Sequence, residues 1–133
     1  MTRRRLAAPL DSAMHPKIDS TEFGAITVGG QRIEHDVLIR LCGTVAKRKK
    51  KLSKDVYGTS HMVSLAEAEH VYEKGAKRLI VGAGQQAMVE LSAEAAEYFK
   101  AKKVAVELLA TPDAIARWNK AKGSVIGLFH VTC

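Results

Sequence analysis

The sequence is short of the residues that small domains use as staples. It has two cysteines, Cys42 and Cys133, in 133 residues. Two thiols form at most one bridge, so a disulfide framework is excluded, and a reduced intracellular chain is the simpler reading. Close pairs such as C-x-x-C, the usual signature of zinc, are missing. His130, Cys133 and Cys42 would offer three ligands, but His130 and Cys133 stand at odd spacing and point to opposite faces of a strand. A buried strand end accounts for His130 better. No metal and no other cofactor is expected. Aromatic residues make up 5% of the chain, with one tryptophan, which is thin for a stacking platform for single-stranded bases. No apolar run approaches the length of a membrane span. The start, "MTRRRLAAPL", is Arg-rich, but its apolar stretch is too short for a secretory signal. The expected location is cytoplasmic, with a mitochondrial address as the alternative if that start is a presequence.

What is present fits one domain. A chain of this size buries roughly two-thirds of its unfolded surface, so stability needs neither metal nor bridge. The formal net charge is +7, but it is concentrated. Arg3, Arg4 and Arg5 form one cluster, and Lys47, Arg48, Lys49, Lys50, Lys51 and Lys54 form another. Without those nine, 12 of the 21 Lys+Arg remain against 14 Asp+Glu. The body is near neutral and carries two basic pieces. A general nucleic-acid coat would spread its charge more widely.

Residues 1 to 17 lack periodicity and read as a flexible tail, leaving 18–133 as the domain. "EFGAITV" and "QRIEH" flank Gly29-Gly30, the signal of a two-residue hairpin of primed type. "DVLIRL" places Val37, Ile39 and Leu41 on one face of a half-buried strand. The basic run that follows reads as a loop, or as a strand end opening into a loop. "SLAE" at 64–67 is a capping box opening a helix over Leu65, Ala68 and Tyr72, with Lys74 in its last turn and Gly75 as its stop. "KRLIVGAG" is a buried strand, Ser92 caps a second helix, and "KVAVELL" is another strand. Thr111 caps a third helix with Pro112 in its first turn, and "SVIGLFHV" is the last strand. The β-α-β-α-β order predicts parallel strands with right-handed crossovers. The expectation is a mixed, partly parallel sheet covered by about three helices, with an N-terminal β-hairpin layer.

Four pieces together carry a family resemblance: "KRKKKLSKDVYGTSH", "EKGAKRLIVGAGQQAMVELSAEAAEYF", "TPDAIARWN" and "GLFHVTC". Over about residues 18 to 133 the chain resembles the small Mth-type domain family. That family is named for an archaeal protein of unknown function, and its relatives include an adipogenesis-associated protein and a mitochondrial complex I assembly factor. The resemblance implies a three-layer α/β domain with a mixed central sheet. It implies no catalytic activity; the better-understood relatives act through protein contacts. The adipogenesis-type relatives carry a Trp-rich segment where this chain is Lys-rich, so a partner reading that segment is not carried over.

Three stretches are candidate sites. The first is the cationic strip Lys47, Arg48, Lys49, Lys50, Lys51 and Lys54. Lys-rich segments are often only solvated, but this clustering exceeds what solubility needs. The second is the glycine turn Gly82, Gly84, Gln85 and Gln86, after a strand where open α/β sheets place their crevices. It matches G-x-G-x-x-A, with Glu107 further on. However, the next helix starts only at Ser92 and Glu107 lies inside its strand, so a dinucleotide is disfavoured. A small polar ligand cradled by amides is the milder reading, against a turn that needs glycine for positive φ. The third is Thr59, Ser60 and His61, a hydroxyl-imidazole group with no acid placed to orient it. The leading reading is a non-enzymatic interaction or assembly domain whose basic segment docks an acidic protein surface. One alternative is a small anionic ligand site or enzyme built on the glycine turn, with Thr59, Ser60 and His61 beside it. Another is weak, sequence-independent nucleic-acid binding.

Overall fold

The structure, a computed structural model, describes residues 15–133. The Arg3–Arg5 cluster and residues 1–14 of the expected tail lie outside the described residues. The last part of that tail is packed. The His15 ring stacks on Trp118 at 4.1 Å, and Trp118 Nε1 donates to the Pro16 carbonyl at 2.8 Å.

Three strands open the domain: β1 (Ile18–Glu22), β2 (Ala25–Val28) and β3 (Gln31–Ile33), an antiparallel meander. Gly29 and Gly30 join β2 to β3 with φ of 56° and 83°. Both central residues of a primed turn need positive φ, which is why two glycines stand there. A second sheet of five strands follows the order β5-β4-β10-β7-β9. It contains β4 (Val37–Ile39), β5 (Val45–Lys47), β7 (Arg78–Ala83), β9 (Ala105–Leu109) and β10 (Val125–His130). β10, β7 and β9 run parallel, and β4 and β5 add antiparallel at one side. Two short strands, β6 (Met62–Val63) and β8 (Glu90–Leu91), pair separately.

Among the described residues there are four helices: α1 (Lys51–Tyr57), α2 (Leu65–Val71), α3 (Ala93–Ala101) and α4 (Thr111–Lys120). The path β7-α3-β9 moves outward along the sheet, and β9-α4-β10 moves back past β7. Crossovers of one hand whose direction reverses must place their helices on opposite faces. Accordingly Ala95 and Phe99 of α3 pack with Leu38, Leu79, Val81, Ile126 and Leu128 on one face. Ile115 and Trp118 of α4 pack with Ile80, Phe129 and the meander residues Ile18, Ile26 and Val28 on the other. The result is the mixed three-layer α/β domain.

Four local expectations change. Val37, Leu38 and Ile39 are all buried, because β4 is a covered strand with layers on both faces. Leu41 lies beyond its end. α2 stops at Val71, so Lys74 and Gly75 fall in the following turn. Thr111 is the first residue of α4 and not its cap. Its hydroxyl donates to the His130 carbonyl at 2.7 Å and accepts from Gly84 N–H at 2.8 Å. The basic run ends β5, which fits its strand-end reading, but it continues into α1 and not into a loop.

Candidate functional site

The physical reason for that last difference is Arg48. Alternation along β5 sends Ala46 and Arg48 to the sheet face that carries α2. There the Arg48 guanidinium, 1% exposed, meets two carboxylates. Its Nε donates to Glu67 Oε2 at 2.6 Å and its Nη2 to Glu67 Oε1 at 3.0 Å. Nη1 donates to Asp36 Oδ2 at 3.1 Å, and Nη2 also donates to the Ser60 carbonyl at 2.9 Å. Ser53 of α1 donates to Glu67 Oε1 and accepts from Ser64 N–H at 2.9 Å. The start of α1 is thereby tied to the start of α2.

Glu67 occupies the capping-box position, but only half of the box forms. Ser64 Oγ accepts from the Glu67 amide at 3.1 Å. The Glu67 carboxylate turns to Arg48 and Ser53 instead of reaching back. A buried guanidinium demands carboxylates more strongly than a helix start demands a second cap.

Asp36 closes the network. Its Oδ1 accepts from Val131 N–H at 2.9 Å, and its Oδ2 accepts from His130 Nδ1 at 2.7 Å. Burial pushes the Asp36 carboxyl up. The His130 hydrogen bond and charge, the Val131 amide and the Arg48 cation outweigh burial and hold it below the usual carboxylate range. Burial pulls Arg48 down, while Glu67 and Asp36 more than restore it, so the guanidinium stays charged. His61 leans edge-on against His130 with ring centres 5.4 Å apart. The structure therefore joins His61 and the Ser60 main chain to the end of β10. Thr59 Oγ1 accepts from His61 N–H at 3.1 Å, a local turn contact.

The glycine turn is filled by the chain itself. Gly84 has φ of +102°, and a Cβ there would stand 2.2 Å from the Cys133 carbonyl carbon. Gln85 N–H donates to Thr132 O at 2.7 Å and Gln86 N–H to Cys133 O at 3.0 Å. The Gln85 amide side chain donates to Thr21 Oγ1 at 3.0 Å. A Cβ on Gly82 would strike Phe129 and Thr111. These glycines answer to close packing between β7, α4 and the segment after β10.

Arg48 is thus removed from the exposed strip in which the sequence placed it. Lys47, Lys49, Lys50, Lys51 and Lys54 remain exposed. Lys51 pairs with Asp55 at 2.9 Å, an exposed i,i+4 contact. Among the described residues Lys47, Lys49, Lys50 and Lys54 form no ion pair. Their field reaches inward: burial and then the cations of Arg40 and Lys49 depress the His70 imidazole, against a smaller opposing pull from Glu67. Beside Lys47 an open groove of about 510 Å³ runs between β3 and β5, walled by Gln31, Arg32 and Ile33 on one side and Val45, Ala46 and Lys47 on the other. Arg48 was legible only as an oddity, one arginine in a lysine run, arginine being the better residue for buried bidentate pairs.

A mixed-sheet, three-layer α/β domain with a pinned cationic edge is the class that this architecture defines. The chain belongs to the family described as protein of unknown function (DUF498/DUF598), whose model matches residues 18–128. It is similar in structure to the conserved hypothetical protein PH1505 from Pyrococcus horikoshii OT3, with TM-score 0.80, 29% identity, 88% of this chain and 99% of that chain covered. A second similar structure, MT938, gives TM-score 0.74 and 28% identity over 89% of this chain and 99% of that one. A Bordetella pertussis protein described as a Mth938-like domain gives TM-score 0.67 at 16% identity over 90% and 88%, a likeness of fold alone. These matches bear out the Mth-type resemblance. No described helix is long and apolar enough to cross a membrane.

Proposed function

We propose that this domain is a non-enzymatic interaction module that docks an acidic protein surface through Lys47, Lys49, Lys50 and Lys54. The observation that carries this reading is the pairing state of the strip. Four exposed ammonium groups stand without carboxylate partners on a segment that Arg48 and Ser53 fasten to the core. A fixed strip loses less conformational freedom on binding than a mobile tail of the same charge. Its cations then steer and orient an acidic partner more than they add affinity. The glycine turn supports a ligand reading less well, because its Gln85 and Gln86 amides already donate to Thr132 and Cys133.

The test is a nuclease-treated pull-down at low and moderate salt, comparing the chain with a Lys49→Glu, Lys50→Glu, Lys54→Glu variant. The reading expects partners lost by the variant and weakened by salt. An unchanged partner set overturns it. If the strip held nucleic acid instead, the captured material would vanish with nuclease. Four phosphate contacts would then give a log-log salt slope of roughly −3.6 on a DNA duplex.

A further inference from the structure

The groove beside Lys47 has main-chain groups to offer as well as charge. β5 is the edge of the five-stranded sheet. Arg40 N–H donates to Thr44 O at 2.9 Å and Arg48 N–H to Asp36 O at 3.1 Å. In an antiparallel ladder the residues that bond a given neighbour alternate. Thr44, Ala46 and Arg48 therefore face β4, and Val45 and Lys47 turn their N–H and C=O groups outward. Across the groove, β3 is the edge of the meander, with Val28 opposite Gln31 and Ile26 opposite Ile33. A two-residue hairpin bonds its closing pair and every second pair after it, so Arg32 turns its main chain outward there.

The two walls differ in charge. Arg32 is held between Glu22 and Glu34 by ion pairs of 2.6 and 3.2 Å. That wall has its cation satisfied, with carboxylate in excess. The β5 wall carries Lys47 without a carboxylate and continues into Lys49 and Lys50. Half-buried Ile33 and Val45 supply an apolar floor. A lysine on an edge strand ordinarily discourages pairing with apolar strands. It is favourable only opposite a carboxylate.

We propose that β5 accepts an extended acidic segment of a partner protein as an added strand. The segment's main chain pairs with Val45 and Lys47, and its carboxylates lie against Lys47 and the lysines that follow. This rests on the acidic-partner reading above and specifies its geometry: an extended backbone held by the sheet edge rather than a folded acidic surface. Main-chain bonding supplies affinity and the lysines supply selection among strands.

The test uses a capped peptide, Thr-Val-Glu-Val-Glu-Val-Thr, and the same peptide N-methylated at alternate residues, which keeps the charge and removes one row of donors. Binding and amide exchange are followed by NMR on the full chain. Expected is binding of the unmethylated peptide, at least tenfold slower exchange at the Val45 and Lys47 amides, and at least tenfold weaker binding of the methylated form. Val45→Pro removes one outward donor and no charge, and is expected to weaken the unmethylated peptide at least fivefold. If that variant fails to fold, the peptide pair on the native chain still decides. Equal binding of both peptides, with shifts at Lys49, Lys50 and Lys54 but not at Val45, overturns strand addition and leaves cationic docking standing. Binding of neither peptide at millimolar concentration overturns strand addition, and the pull-down then judges the docking reading on its own.

Discussion

Arg48 and Glu67 share two parallel hydrogen bonds, Nε to Oε2 and Nη2 to Oε1, with side chains 1% and 0% exposed. This pair fixes where a strand ends and two helices begin. The Arg48 side chain crosses from the end of β5 to α2, and Ser53 bonds the same carboxylate from α1. The exposed lysines on either side inherit their positions from it.

Arg48→Met is accordingly expected to destabilise the domain by about 3–5 kcal/mol, since it strands Asp36 and Glu67 as buried carboxylates. Arg48→Lys is expected to recover little, because one ammonium cannot serve both oxygens of Glu67 and reach Asp36. Urea unfolding at constant m-value measures both. A loss under about 1 kcal/mol for Arg48→Met would show that the network contributes little.

The same network sets an acid limb. The Asp36 carboxyl is lowered in the folded state, so between its folded and unfolded values the unfolded chain binds the extra proton. Stability is then present above the ordinary aspartate range and falls as pH drops through the folded value. Asp36→Asn is expected to flatten that limb in thermal unfolding between about pH 6 and pH 3. A slope identical in both proteins would assign the acid limb to other carboxylates.

Much of the architecture is written in local signals. The Gly29-Gly30 turn, the Ser64 and Ser92 caps and the β-α-β-α-β order each announce themselves within a few residues, and each is present. What stayed hidden depends on partners far along the chain. Asp36 and His130 meet across 94 positions. Thr111 spends its hydroxyl on His130 and Gly84 rather than on its own helix. Arg48 reads as one more surface cation until Glu67, 19 residues on, is brought over it. Charge and period cannot reveal a buried polar network, because its members carry the same letters as solvated residues.

Thr111 tests how strongly the end of β7 is held to the end of β10. Thr111→Val keeps the shape but leaves Gly84 N–H and His130 C=O without their partner, at an expected cost of about 1–3 kcal/mol. Thr111→Ser keeps the hydroxyl and is expected to restore most of that stability. If Val and Ser cost the same, packing of the methyl group, and not the double hydrogen bond, is what the site requires.

The strip and the fold are separable, and His70 reports on the strip without any partner. Its imidazole is depressed by burial first and then by the Arg40 and Lys49 cations. Lys49→Glu removes one of those cations and adds an anion, so the His70 pKa is expected to rise. The residue is exposed, and such surface substitutions change stability by no more than about 0.5 kcal/mol. The global unfolding midpoint should therefore hold while the His70 titration, followed by NMR, moves toward higher pH. Raising the salt concentration should raise the native His70 pKa in the same direction, because it screens the repelling cations. A His70 titration indifferent to both changes would mean that Lys49 projects no field over this face, and the cationic edge would lose the property on which docking depends.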